Sequence, residues 1–329
     1  MARALVLGAT GHIGAHIVRA LLAEGHLVKA AYRRSQYLSV LDGLCVERVA
    51  VDLDTLDGLP QALSGCDWVF HAAGYYPPLR QNKKEALSGA LRSLGRMLEA
   101  IAQAQPARVV FTSSASTIQR LPDRPSTEAD AELLPGAPHL TVYAAVKTAM
   151  EHEALAFAKE KCLPLIVTHP SICIGEYDAH VFSGRLILIF AKHRLPFVVQ
   201  HRLNVVYTAD VGLAHVRAAE RGRAGERYIL CGENLSLRDF AEIVAEEAGV
   251  RKPRWVLPHR AALGLAWITE LAAWITRSEP LLPRQAVHRT RGGLWLDGAK
   301  AIRELGMPRT STRESVRRAM RWFRDSGLL

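Results

Sequence analysis

The first half of the chain is paced by short β-type runs, and this pacing constrains the fold more than any single motif. Such runs fall at Ala4 to Leu7, Leu27 to Tyr32, Val46 to Val51, Trp68 to His71, Arg108 to Thr112 and Leu165 to His169. Between them lie amphipathic stretches such as Ile13 to Ala23, Lys84 to Ala104 and Val142 to Lys161, with apolar residues at helical spacing. Each is long enough to cross back over a sheet and start the next parallel strand through a right-handed connection. The expected class is therefore α/β, with a doubly wound parallel sheet covered by helices.

After Pro170 the rhythm loosens. The pattern predicts helix from Asp210 to Arg221, strand from Arg227 to Leu230, helix from Ser236 to Gly249 with Ser236 as N-cap, and further helices starting at Arg260 and Thr312. No repeat or low-complexity linker separates the halves, so the second is expected to pack on the first. Pro122 to Pro138, with four prolines and four acids, reads as a long surface loop.

Composition bounds what such a chain can do. With 329 residues, 49% of them hydrophobic and 22% charged, it can bury a large core. Cys45, Cys66, Cys162, Cys173 and Cys231 stand singly with no CxxC pair, so no metal site is expected, and an odd count fits a reducing, cytoplasmic setting. The apolar start, Ala4-Leu5-Val6-Leu7, is too short for the core of a signal peptide. The most apolar stretch, Ala261 to Thr276, is 16 residues long and carries Glu270, which falls short of a membrane span.

The turn Gly8-Ala9-Thr10-Gly11-His12-Ile13-Gly14 follows the first predicted strand and opens the first predicted helix. Glycines there allow a tight turn and let a pyrophosphate reach backbone amides at the positive helix end, although a plain βα turn can carry the same residues. The second strand ends in Tyr32-Arg33-Arg34, where an NAD site usually presents a carboxylate. A guanidinium at Arg33 suits the extra phosphate of NADP(H), with NAD(H) as the alternative, and a merely solvated strand end would read the same way. Asp52 and Leu53, closing the third strand, are placed to hold and cover an adenine.

Tyr143 and Lys147 stand at i and i+4, on one face of a predicted helix. A phenol with an ordinary pKa near ~10 acts as a base at neutral pH only when nearby positive charge favours its anion, which Lys147 and a cationic nicotinamide would supply. Thr112-Ser113-Ser114-Ala115 closes the fifth strand, and a hydroxyl there, Ser114 in preference to Ser113, can steady charge on the same carbinol oxygen. The order of glycine turn, strand-five serine, then Tyr and Lys brings all of them to one sheet edge.

These pieces resemble the extended short-chain dehydrogenase/reductases of the NAD-dependent epimerase/dehydratase type. Within them the chain is most similar to the dihydroflavonol-reductase, 3β-hydroxysteroid-dehydrogenase and hopanoid-associated epimerase-like branch. The resemblance rests on Thr10-Gly11-His12-Ile13-Gly14, Tyr32-Arg33, Asp52-Leu53, His71-Ala72-Ala73-Gly74, Ser114, Tyr143 with Lys147, His169-Pro170-Ser171, and Gly225 to Leu230 with Gly232-Glu233-Asn234. It implies a Rossmann-type domain over residues 1–170 and a smaller α/β substrate-binding lobe mainly over 171–329, with later segments near 204–232 contributing to both lobes. By the same resemblance Ser114, Tyr143 and Lys147 are the catalytic trio. Ala72, Ala73 and Gly74 would then lie beside the ribose, and Pro170, Ser171 and Ile172 beside the nicotinamide. One departure stands out: Ala90 occupies the position where relatives usually carry an asparagine.

Substrate candidates near these segments are Tyr75, Tyr76, Tyr177, His180 and Phe182, a set more aromatic than charged. They suit a lipophilic alcohol or ketone, sterol-like or terpenoid, better than a nucleotide sugar, unless they are simply core. The expected activity is hydride transfer at a secondary alcohol or ketone. A nucleotide-sugar epimerase or dehydratase and a non-catalytic, cofactor-responsive protein are the alternatives. Leu263, Trp267, Leu271 and Trp274 form one apolar helical face, which fits a core or dimer contact and, alternatively, a peripheral membrane contact. The resemblance also allows a homodimer through the helices around Lys84 to Ala104 and Tyr143 to Lys161. The net charge of +10 is uneven, with 12 basic and five acidic residues from Arg277 onward. No nucleic-acid-binding motif accompanies that tract, so a nucleic-acid partner is not expected.

Overall fold

A computed structural model describes residues 1–33, 35–74, 82–130, 133, 137, 140–193, 196–276, 284, 287 and 293–329. The chain opens with β1 (Arg3–Leu7), α1 (His12–Ala23), β2 (Leu27–Tyr32), β3 (Glu47–Ala50), the short α2 (Leu59–Leu63) and β4 (Trp68–His71). There follow α3 (Lys83–Gln103), β5 (Arg108–Thr112), α4 (Val142–Lys161) and β6 (Leu165–Pro170). The second half contains β7 (Ile172–Ile174), α5 (Arg185–His193), β8 (Phe197–Val199), β9 (Arg202–Tyr207), α6 (Thr208–Arg221) and β10 (Arg227–Leu230). It ends with β11 (Glu233–Ser236), α7 (Leu237–Ala248), β12 (Trp255–Leu257), α8 (His259–Thr276), α9 (Ala299–Leu305) and α10 (Thr312–Asp325).

The main sheet has seven parallel strands in the order β10-β6-β5-β4-β1-β2-β3. The order reverses between β1 and β4, and the crevice outside the strand ends at such a switch point is where ligands bind in this architecture. Helices α1 and α6 bury one face of the sheet around Ile17, Val18, Leu21, Val211 and Ala214. Helices α3 and α4 bury the other around Leu94, Leu98, Ile101, Val146 and Met150. Strands buried on both faces explain why the sequence shows continuous apolar runs here and little alternation.

The smaller lobe is built on a three-stranded sheet, β11-β9-β7, and a two-stranded pair, β12-β8. Its core of Ile187, Phe190, Leu203, Phe240, Val316 and Phe323 joins α5, α7 and α10. Ser236 caps α7 as expected and shares a capping box with Asp239. The stretch after Pro122 differs from a plain surface loop. Glu128 accepts the Ile229 amide at 2.7 Å, and the Ser126 amide donates to Trp295 at 2.9 Å. It thereby covers the outer edge of β10, whose free amides need partners.

Candidate active site

One cavity of about 720 Å³ runs along the C-terminal ends of β1, β2, β4, β5 and β6. Its glycine-rich end is fixed by backbone packing. A Cβ on Gly14 would stand 2.1 Å from the Gly8 carbonyl oxygen, and a Cβ on Gly8, at φ +83°, would stand 2.8 Å from the Ala73 α-carbon. Gly11 faces the open side and caps α1 without a side-chain bond, while the first turn of α1 holds no acid. The leading amides and positive end of α1 are thus presented to the cavity, a fit for an anionic pyrophosphate.

At the other end, α4 carries Tyr143 and Lys147 one turn apart to the end of β5. Lys147 is 3% exposed and its Nζ donates to the Thr112 carbonyl at 3.1 Å. Burial pushes its ammonium down to about 8, against the pull of Glu151, so it keeps its proton at neutral pH. The two serines after β5 divide their roles. Ser113 Oγ donates to Glu151 Oε2 at 2.5 Å, whereas Ser114 Oγ accepts the Ser116 amide at 3.2 Å and the Ser116 hydroxyl at 3.0 Å. Ser114 therefore keeps a proton for a ligand oxygen, while that of Ser113 is committed.

Behind the trio lies a buried pair that the motif reading passes over. Glu151 Oε1 meets His169 Nε2 at 2.7 Å, with both side chains at most 3% exposed. Burial opposes the Glu151 charge, but His169 and the hydroxyls of Ser113 and Thr117 outweigh it and hold the carboxyl well below the usual range. The signal was present in the sequence, since Tyr143, Lys147 and Glu151 continue one i, i+4 stripe.

Of the residues expected at the site, Gly8, Thr10, Gly11, His12, Ile13, Arg33, Leu53, Ala72, Ala73 and Gly74 line the cavity. So do Ser114, Tyr143, Lys147, Pro170, Ser171, Ile172, His180 and Phe182. Ala90 lies on the same wall. Three do not line it. Gly14 serves the helix–turn packing above. Asp52 Oδ1 accepts the amides of Asp54 at 2.7 Å and Thr55 at 3.3 Å, so it shapes the turn that places Leu53 and Asp54 on the wall. Tyr177 lies beneath the Arg19 guanidinium, 3.6 Å from it, and edge-on to His16 and Trp322, joining α1 to α10. Tyr75, Tyr76 and Arg34 lie outside the described residues.

Arg33 is exposed, with Asp54 at 3.5 Å as a salt-bridge partner. Sequence reasoning did not single out Tyr37, whose ring stands 4.0 Å from that of His180 and ties the two lobes together over the cavity. Nor did it find Leu294, which reaches the wall from far along the chain, or Asp178, whose carboxylate holds the amides of Phe182 and Gly184.

A dinucleotide-sized crevice at the switch point, with a phenol, an ammonium and a hydroxyl at one end, defines a Rossmann-type enzyme of the oxidoreductase and epimerase kind. The chain belongs to the NAD dependent epimerase/dehydratase family, whose profile matches residues 4–231. It is 30% identical to a putative dihydroflavonol 4-reductase from Synechocystis over 98% of this chain and 94% of that one. It is 31% identical to sterol demethylase protein B from Methylococcus capsulatus over 99% of both chains. Among solved structures, a nucleoside-diphosphate-sugar epimerase from Pseudomonas aeruginosa superposes with a TM-score of 0.81 at 30% identity, covering 100% of this chain and 99% of that one.

Proposed function

We propose that the protein is an NAD(P)-dependent oxidoreductase that interconverts a secondary alcohol and a ketone on a lipophilic substrate. The observation that carries this reading is a single cavity joining the glycine-rich turn to Ser114, Tyr143 and Lys147 and continuing to Ile172, Phe182 and Leu294. The first turn of α1 would hold the pyrophosphate, Ala72 to Gly74 the adjoining ribose, and Arg33 the adenosine phosphate of NADP(H). When bound, the nicotinamide supplies or accepts the hydride. Tyr143 delivers a proton to the substrate oxygen in reduction and removes it in oxidation. Lys147, kept charged beside it, favours the phenolate, and Ser114 donates to the same oxygen. The apolar side chains of the second half favour a lipophilic ring system over a heavily charged substrate.

Fluorescence titration with NADPH and NADH, followed by turnover of a panel of lipophilic ketones, tests the reading. Saturable binding and cofactor oxidation that Tyr143→Phe abolishes support it. A protein that binds neither cofactor, or a Tyr143→Phe variant as active as the parent, refutes it. A second reading, nucleotide-sugar epimerisation, is favoured by the similarity to the Pseudomonas aeruginosa epimerase and by Arg120 on the cavity wall. Conversion of a sugar nucleotide with no net consumption of cofactor would decide for it.

A further inference from the structure

Among the described residues, six of the ten exposed large hydrophobic side chains fall between Trp255 and Trp274. They are Trp255 and Val256 on β12, and Trp267, Ile268, Leu271 and Trp274 on α8. The helix turns its small residues inward. Ala262 and Ala266 pack with Val199 and Val287, and Leu257 and Leu263 lie against them. Trp267, Ile268, Leu271 and Trp274 are 61%, 66%, 59% and 79% exposed. An ordinary surface helix does the reverse, burying its large apolar residues and exposing small or polar ones.

The segment that carries this face is mostly basic, although Lys252 is paired with Glu246 of α7. From Val250 to Thr276 the chain carries Arg251, Lys252, Arg254 and Arg260 against the single acid Glu270. Those four cations are exposed. Glu270 is engaged by Arg284, which takes its carboxylate through the backbone amide at 2.7 Å and through Nε at 2.5 Å. The same guanidinium stacks 3.8 Å from the centre of the Trp267 ring. No helix among the described residues is long and apolar enough to cross a membrane, so a membrane contact of α8 would lie in the interface plane.

We propose that α8 with the preceding β12 segment docks the protein on an anionic lipid bilayer. Trp267, Ile268, Leu271 and Trp274 enter the headgroup and acyl boundary, where tryptophan is favoured, and Arg251, Arg254 and Arg260 meet lipid phosphates. A second copy of the chain is the poorer occupant, because a two-fold contact through this face sets like-charged borders against each other. A bilayer rich in anionic headgroups neutralises them. The inference stands on the surface of α8 and does not depend on the reaction catalysed.

Co-sedimentation of the full chain with phosphatidylcholine vesicles, with and without phosphatidylglycerol, tests it, alongside sedimentation velocity without lipid. The chain should bind the phosphatidylglycerol vesicles, lose binding at high salt, and show tryptophan quenching by brominated acyl chains. Trp267→Ser with Trp274→Ser should weaken partitioning at least about tenfold, and the charge reversal of Arg251→Glu with Arg254→Glu should weaken it separately. Unchanged urea midpoints would establish that both variants fold, and a variant with a lowered midpoint is replaced by Leu271→Ser. Failure to bind anionic vesicles overturns the proposal. So does a dimer that the tryptophan variant breaks with no vesicle binding in the parent, which would assign the face to a second copy.

Discussion

Replacing Lys147 by methionine should abolish turnover and yet make the fold more stable. The side chain is buried at the cavity wall, and burial lowers its pKa from 10.5 to about 8. At neutral pH the folded chain carries the charge at a cost of about 3 kcal/mol relative to the unfolded chain, at about 1.4 kcal/mol per pKa unit. Methionine keeps an unbranched side chain, removes the charge and gives up the bond to the Thr112 carbonyl, which is worth about 1 kcal/mol. The net expectation is a gain of about 2 kcal/mol, readable as a higher urea midpoint by tryptophan fluorescence. Between about pH 8 and the unfolded pKa of 10.5 the unfolded state binds more protons at this group than the folded state. The parent therefore gains stability as pH rises through that window, and the gap to Lys147→Met closes. A variant equal to or less stable than the parent at neutral pH, or a gap that does not change with pH, would refute the reasoning.

Arg33→Ala should weaken NADPH binding by about tenfold or more and NADH binding little, because only NADPH offers the phosphate; equal losses in a fluorescence titration would remove Arg33 from that role. Gly14→Ala sets a Cβ 2.1 Å from the Gly8 oxygen, a backbone atom with nowhere to go, and should lower stability by about 1–3 kcal/mol together with cofactor affinity. An alanine variant with the parent's urea midpoint would contradict the packing described for the turn. Glu151→Gln preserves an acceptor for Ser113 but removes the anion that raises the Lys147 pKa. The fall in activity on the alkaline side, centred near pH 8 in the parent, should move to lower pH in the variant, and an unmoved pH profile would show that Glu151 does not act through Lys147.

Most strands of the main sheet were legible because they are buried on both faces and bounded by turn residues, the exposed edge strand β3 being the exception. Leu27–Tyr32, Trp68–His71, Arg108–Thr112 and Arg227–Leu230 fall where the sequence places them. The short strands of the smaller lobe were not, since Ile172–Ile174, Phe197–Val199 and Trp255–Leu257 have three residues each and exist through pairing with distant partners. Side-chain direction was the other hidden quantity. Asp52 and Tyr177 stand close in sequence to cavity residues, yet one accepts the amides of Asp54 and Thr55 in the following turn and the other inserts between two helices. In sequence the face of α8 fits core, dimer contact and membrane contact alike, because periodicity marks a stripe without saying which way it points. The sequence already favours Ser114 over Ser113, but the physical reason lies in the position of Glu151, which only the packing of α4 against β5 reveals.

The most direct test of the account is a structure of the protein with bound NADP(H). The pyrophosphate should lie on the first turn of α1, the adenosine phosphate beside Arg33, and the nicotinamide between Pro170 and the Tyr143 hydroxyl. A cofactor bound in the reverse sense, or one whose nicotinamide lies away from Ser114, Tyr143 and Lys147, would contradict it.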